Sequence, residues 1–194
     1  MSAFDFNDFL LFSNAKEIDE HTYASISAGV LDFVANQYGI YTDTMAVNKL
    51  VYLNLGQSTF EFEYGPLQEV DSITFNEADI DFETYEFSQV INMAAAIPSH
   101  QIPLMIYATV GYDGIVLQLP QDLKVAIYRH IEEVFFAIKN NVDNLEKVIN
   151  ATGNTMYYHT GYVSVPVQNI YNFYSYKVPA EFRNFVLDEN YRED

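Results

Sequence analysis

The sequence predicts an α+β fold, with two main amphipathic helices, a small antiparallel β-sheet or hairpins, and a C-terminal extension. Three observations support this class. Apolar residues recur at spacings of three and four in two long segments, they alternate with polar residues in short segments between them, and glycine and proline separate these segments. The 194 residues, 49% of them hydrophobic, suffice for one ordinary core. We therefore assign residues 1–177 to a single domain and residues 178–194 to the extension.

The first helix is predicted from about Ile18 to Tyr38. Its apolar residues fall on one helical face: Tyr23, Ile26, Val30, Phe33, Val34 and Tyr38. Gly39 follows directly and suits a helix C-terminus, where a left-handed residue is common.

Short antiparallel strands are predicted in the middle of the chain, because apolar and polar residues alternate there. The alternating segments are 51–55, 60–64, 73–75 and 81–87. Gly56 separates the first segment from the second, and Gly65-Pro66 separates the second from the third. Residues 93–97, followed by Pro98, end this region. The predicted sheet is therefore small and has one solvent-facing side.

The second helix follows a predicted strand at Ile102–Val110 and a turn at 111–114. Leu119-Pro120 suits a helix start, since proline has no N–H to lose there. The apolar residues again share one face: Leu123, Ile127, Ile131, Val134, Phe135 and Ile138. Beyond it, glycines at 153 and 161 indicate a hairpin, and Pro166 indicates a short last helix.

Charge is the second strong signal in the sequence. Nine Lys and Arg residues stand against 27 Asp and Glu residues, which gives a formal charge of −18. No basic residue lies between Lys49 and Lys124, where every charged residue is acidic. Such a surface repels phosphate. It suits a protein that must not adhere to DNA, a DNA mimic that captures a basic partner, or a chain that is merely kept soluble.

The sequence gives little support for catalysis, for a cofactor or for a metal. It contains no cysteine, nucleophile elbow, P-loop or dinucleotide-binding motif. His130 and Glu133 share a helix face without a matching partner motif, so we interpret His130 as a helix-surface or interface residue. The acidic pairs Glu61 with Glu63 and Asp79 with Asp81 lack a glycine-rich calcium loop. The acidic start and the lack of a long apolar run predict a soluble, unprocessed chain with no membrane contact.

The order of four motifs resembles the head-tail connector, or head-completion adaptor, family of tailed bacteriophages. They are Pro66-Leu-Gln-Glu-Val-Asp-Ser-Ile-Thr-Phe75, Ile106-Tyr-Ala-Thr-Val-Gly-Tyr112, Leu119-Pro-Gln-Asp-Leu-Lys-Val-Ala-Ile-Tyr-Arg-His-Ile131 and Val165-Pro-Val-Gln-Asn-Ile-Tyr-Asn-Phe-Tyr174. The resemblance covers roughly residues 18–176. Two arginines usual in the family, near the end of the second helix and in the closing segment, are absent here.

The resemblance implies a structural virion protein rather than an enzyme. Adaptors of this family form rings, usually of twelve copies, that join the portal to the tail or to a stopper or nozzle protein, and DNA passes through without specific binding. It therefore implies the virion neck, after synthesis in the host cytoplasm, with no cofactor. An acidic bore would disfavour phosphate contacts.

Candidate residues for these roles follow from the resemblance, the charge pattern and the distribution of aromatic residues. The channel-facing candidates are Glu61, Glu63, Glu77, Asp79, Asp81 and Glu83. The subunit-interface candidates are Tyr171, Phe173, Tyr174 and Tyr176, because aromatic residues are enriched at interfaces. The partner-docking candidates, plausible contacts of the portal, are Phe182, Phe185, Val186 and Leu187, which are too few to form a core.

Other functions remain open at this point. An acidic DNA mimic or inhibitor that binds a basic partner is the main alternative, and it predicts a monomer or dimer with salt-sensitive binding. An enzyme of another type would need a concave site that the sequence does not disclose. The acidic residues also fit the solvated face of a sheet.

Overall fold

The structure is a computed structural model that describes residues 4–85, 88–96, 103–139 and 163–177, and the backbone of 145–149 and 155–159. The helices are α1 (Phe6–Phe12), α2 (Glu20–Tyr38), α3 (Gln121–Lys139) and α4 (Val165–Tyr174). The strands are β1 (Met45–Val51), β2 (Thr59–Glu61), β3 (Leu67–Phe75), β4 (Ala78–Asp79), β5 (Phe82–Thr84), β6 (Val90–Met93), β7 (Leu104–Val110), β8 (Leu145–Ile149) and β9 (Thr155–His159).

The predicted fold, with two main helices and a small sheet, is wrong. The described residues form four helices, a four-stranded sheet in the order β1-β7-β3-β4, a three-stranded sheet in the order β2-β6-β5, and the β8-β9 ribbon. Helix α1 escaped prediction because it is short; Asp5 caps it by accepting from the backbone N–H of Asn7 at 2.9 Å. The predicted strand at 51–55 is also wrong, since the strand ends at Val51.

The two predicted helices are confirmed, because their signals are local. Asp19 accepts a hydrogen bond from the N–H of Thr22 at the start of α2, and Gly39 ends that helix in the left-handed conformation (φ 70°). Helix α3 begins directly after Pro120. The strand before it is confirmed as β7, and the predicted hairpin and short last helix as β8-β9 and α4.

The helices pack around one core. Aromatic rings join α1, α2 and α3 there, since Phe9 lies 4.9 Å from Tyr23 and 5.7 Å from Tyr128 between ring centroids. Ile127 and Tyr171 are fully buried in the same core. Burial of each such side chain contributes about 1.5–3 kcal/mol, which explains why even the short α1 is held in place.

The two larger sheets share a second core. All the sheets are antiparallel, and alternate residues of β7 face inward, where Ile106 packs with Phe62 and Ile91 from the other sheet. Two backbone hydrogen bonds connect this core to the end of α2: Gly65 N–H donates to the Gly39 carbonyl (2.8 Å), and Tyr41 N–H donates to the Gly65 carbonyl (2.9 Å). A third bond, from Tyr176 N–H to the Tyr38 carbonyl (2.9 Å), joins the residues after α4 to the end of α2 beside them. Gly39 and Gly65 thus lie where the two cores meet.

Buried tyrosines make the protein sensitive to high pH. Burial raises the pKa of Tyr23 to about 12, and nearby Asp5 and Asp8 act in the same direction. An unfolded tyrosine titrates near pH 10. The buried, neutral Tyr23 side chain therefore makes its full contribution to stability below pH 10. This contribution is lost as pH rises from 10 toward 12. Urea unfolding across this range is expected to show a falling free energy of unfolding, with a smaller slope in Tyr23→Phe. An equal slope in both chains would contradict this assignment.

Candidate functional site

An acidic stretch of chain that contains the two short strands β4 and β5 connects the two sheets at an edge of the β core. Asn76 and Glu77 both have positive φ (50° and 65°), as a tight hairpin turn between β3 and β4 requires. The chain then passes from β4 in the first sheet to β5 in the second, with Ile80 N–H donating to the Ile73 carbonyl at 2.9 Å. We use the name acidic strand for its four exposed acids: Glu77, Asp79, Asp81 and Glu83.

The alternation of residue types explains why these acids face outward. Ile80 and Phe82 are half-buried and pack against the core of the sheets, so the residues on either side of them point to solvent. Asp79, Asp81 and Glu83 therefore lie on the outer side of the molecule, and Glu77 is exposed in the turn that precedes them.

Glu61 and Glu63 lie on the other edge of the three-stranded sheet. Their neighbours Phe60 and Phe62 are buried, which turns Glu61 and Glu63 outward. The register pairs Glu61 with Val90 and Glu83 with Asn92, so Glu61 and Glu83 share the outward face of this sheet, two strands apart. The six channel-facing candidates are therefore distributed over both sheets: Glu77 and Asp79 lie at β4 of the four-stranded sheet, and the others lie on or beside the three-stranded sheet.

The charge of the β core is not balanced by the ion pairs between described residues. Those pairs join Lys124 to Asp8 (2.9 Å) and Lys139 to Glu17, and both lie among the helices. Lys49, the cation on β1, places its ammonium 4.3 Å from the ring centroid of Tyr64. The four exposed acids of the acidic strand therefore make this edge of the β core negative.

The aromatic interface candidates have different surroundings. Tyr171 is fully buried among the helices, and its hydroxyl lies 3.1 Å from His130 Nδ1. Tyr174 donates to both carboxylate oxygens of Asp122 (2.9 and 3.0 Å). Phe173 is 39% exposed and meets Tyr174 edge to face. Of the four interface candidates, Phe173 and the half-buried Tyr174 and Tyr176 reach the surface. The four partner-docking candidates lie outside the described residues.

The placement predicted for His130 on the helix surface is wrong. The side chain is 1% exposed, faces the helical core and contacts Phe33 edge to face. Its burial depends on α2 and α4, which contribute Phe33 and Tyr171 from distant parts of the sequence.

Sequence reasoning missed an ordered apolar loop between β7 and α3. Ile115 is 82% exposed and Val116 66% exposed, yet the loop is held by one carboxylate. Asp113 Oδ1 accepts from the N–H groups of Ile115, Val116 and Leu117 at 2.8–2.9 Å. Two adjacent β-branched residues between Gly114 and Pro120 are the signal that could have revealed it. Two apolar side chains held in solvent form a candidate contact for another subunit.

The loop should lose its order without the carboxylate. The backbone N–H groups of Ile115 and Leu117, and then that of Val116, hold the pKa of Asp113 below its usual range. The ionised carboxylate of Asp113 therefore orders the loop fully above the ordinary carboxyl pKa. This effect is lost as pH falls through the lowered pKa of Asp113. In Asp113→Ala, amide hydrogen exchange at 115–117 is expected to accelerate about 10-fold. Asp43→Ala, at another exposed acid, should leave that exchange unchanged; equal acceleration in both variants would refute the prediction.

Other kinds of site find no support in the part of the chain that the structure describes. No group of three or more histidine or acidic side chains there is arranged to hold a metal ion. Within the same residues, no helix has the length and apolar character needed to cross a membrane.

Comparison with known proteins finds similar solved structures, and two of them have a TM-score above 0.5. A chain of the "Virion of native gene transfer agent (GTA) particle" has a TM-score of 0.54 and 12% identity, over 69% of this chain and 78% of that chain. A chain of the "Neck of empty GTA particle computed with C6 symmetry" has a TM-score of 0.51 and 12% identity, over the same shares. No family model and no curated protein sequence matches the chain. The resemblance predicted from the motif order is thereby confirmed at the level of the fold.

Proposed function

We propose that this chain is a head-tail adaptor, a structural protein of the neck of a tailed phage or phage-like particle. The observation that carries the proposal is the fold shared with a chain from the neck of a gene transfer agent particle. The motif order supports it independently, since it is a property of the sequence alone. A role in the neck needs assembly surfaces and no catalytic centre.

The adaptor is proposed to form a ring, with twelve copies as the expected number, between the portal and a tail or stopper protein. Twelve copies of −18 each would carry a formal charge of −216. The acidic strand, with Glu61 and Glu63, is proposed to face the bore. Carboxylates at the bore would repel the phosphates of DNA and allow it to slide.

The mass of the purified protein, alone and mixed with the portal protein of the same particle, tests this function. Light scattering and negative-stain imaging are expected to show rings, or a monomer that becomes ring-shaped only on the portal. A stable monomer or dimer that ignores the portal and binds a basic DNA-binding protein in a salt-sensitive manner would overturn the adaptor. That result would favour the DNA mimic.

An interface substitution gives a second test. Phe173→Asp is expected to weaken ring formation by 10-fold or more, at about 1.4 kcal/mol per factor of ten, because an exposed aromatic ring at an interface is replaced by a charge. Leu11→Asp, at a 79% exposed apolar residue of α1, is the matched control and should assemble normally. Light scattering at several protein concentrations measures ring formation by both variants. Normal assembly of Phe173→Asp would remove this residue from the interface.

A further inference from the structure

A groove lies between the open edges of the two larger sheets. Strand β1 is an edge strand of the four-stranded sheet and β2 an edge strand of the three-stranded sheet, and the two are not paired with each other. The cavity between them has a volume of about 420 Å³ and is lined by the end of β1, the loop after it, and β2 with its continuation to Tyr64. We call it the β1-β2 groove.

The walls of the β1-β2 groove are suited to another strand. Leu50 is 54% exposed and Tyr52 69% exposed on one wall, while Phe60 is buried at the other. An exposed apolar edge strand is a template for strand addition, and proteins often protect such an edge with lysine. Lys49 of β1 places its ammonium 4.3 Å from the ring centroid of Tyr64, which lines the groove. The groove therefore offers the exposed side chains of Leu50 and Tyr52 beside a polar lining, along a strand edge that pairs with no other described strand.

The chain reaches residue 178 beside one end of this groove. The ammonium of Lys177 lies 5.5 Å from the ring centroid of Tyr64, which lines the groove. The preceding residue, Tyr176, is fixed by its hydrogen bond to Tyr38 and packs so closely on Gly65 that a Cβ there would lie 2.9 Å from its ring. Whatever follows Lys177 thus starts next to the groove.

The segment that follows has the composition of a groove-filling strand. Phe182, Phe185, Val186 and Leu187 are apolar and too few to form a core, and Arg183 stands among them. An extended segment rises roughly 3.3 Å per residue, so residues 178–187 reach about 33 Å, more than a seven-residue strand such as β1 spans. The segment carries one negative and one positive charge, from Glu181 and Arg183, so its formal charge is zero.

We propose that residues 178–187 fill the β1-β2 groove of their own copy and add a strand to the β1 edge. The same copy is favoured because the segment begins at the groove, which gives it a high effective concentration there. The docking of Phe182, Phe185, Val186 and Leu187 on the portal stays a prediction from the sequence, since these residues lie outside the described part of the chain. The proposed strand addition does not depend on the neck function. Its effect would be to cover an edge that otherwise invites aggregation.

Cysteine crosslinking of the full-length chain tests the proposal, because the protein has no cysteine of its own. The test variant combines Tyr52→Cys with Phe185→Cys, and the control combines Ile115→Cys with Phe185→Cys. Ile115 follows the far end of β7, since Val51 pairs with Leu104 and Met45 with Val110. A short thiol crosslinker is applied to a mixture of ¹⁴N- and ¹⁵N-labelled chains, and the linked peptides are identified by mass spectrometry.

The expected result is crosslinking of the test pair at least about 10-fold faster than the control pair, within single chains only. Equal rates would show that the segment does not occupy the groove, and peptides linking light to heavy chains would show that it occupies another copy. Hydrogen exchange gives an independent readout: in the double variant Phe182→Asp/Phe185→Asp, the amides of residues 50–53 should exchange about 10-fold faster. Unchanged exchange there would also overturn the proposal.

Discussion

Rings in which Asp79, Asp81 and Glu83 are replaced by lysine are expected to bind linear DNA, which rings of the unchanged chain do not. Three substitutions, each worth two charges, take the formal charge per copy from −18 to −12 and place lysines where DNA is proposed to pass. Each Lys–phosphate contact releases condensed counterions, so binding should weaken about 10-fold or more between 50 and 200 mM salt.

A comparison of linear with covalently closed circular DNA shows whether the new lysines face the bore. A closed circle cannot thread a preassembled ring, so the variant is expected to bind the linear form and not the circle. The control variant carries Glu20→Lys, Asp32→Lys and Asp43→Lys, which reverse three exposed acids outside the β core. It should bind both forms alike. Equal binding of both forms by the test variant would place the acidic strand on the outside of the ring.

Gly39→Ala is expected to lower the free energy of unfolding by about 3–4 kcal/mol, at the severe end for a single substitution. Gly39 has a φ of +70°, and a Cβ on it would lie 2.1 Å from the backbone oxygen of Glu63. Its carbonyl also accepts the 2.8 Å bond from Gly65 N–H. The methyl group would therefore separate the helical core from the β core where they meet.

Gly56→Ala is the matched control, because Gly56 has a similar φ of +81° and a Cβ added to it would meet no atom within 4 Å. Only the left-handed backbone is penalised there, at about 1 kcal/mol. Urea unfolding followed by circular dichroism compares the two variants. Equal losses would mean that backbone strain, rather than the contact with Glu63, decides the effect at Gly39.

Signals confined to a few neighbouring residues were sufficient to predict part of the fold. Gly39 ends α2 and Pro120 precedes α3, as expected from helix-terminus chemistry. Strand β7 was predicted because Ile102–Val110 is rich in β-branched and aromatic residues and is followed by a glycine turn; its described part begins at Leu104. The outward orientation of the acidic strand also follows from local alternation with Ile80 and Phe82, so that part of the candidate site was visible in the sequence.

The size of the sheets could not be predicted, because their pairings join residues far apart. β1 pairs with β7, and β4 and β5 are consecutive in the chain yet belong to different sheets. At β1, Leu50 is exposed and Lys49 half-buried, so the strand lacks the alternation that would have revealed it. Edge strands are only half-covered, which weakens their sequence pattern.

By itself the sequence determined the helix α2 with its C-terminal end, the start of α3, the strand β7 before it, and an anionic middle region, since each depends on neighbouring residues or on composition. Only the tertiary structure decided that there are two cores, that His130 is buried beside Tyr171, and that β1 and β2 border a groove. These features arise where α2, α3 and α4, or the two sheets, meet. Their physical cause is the burial of apolar surface between distant segments, which no local pattern specifies.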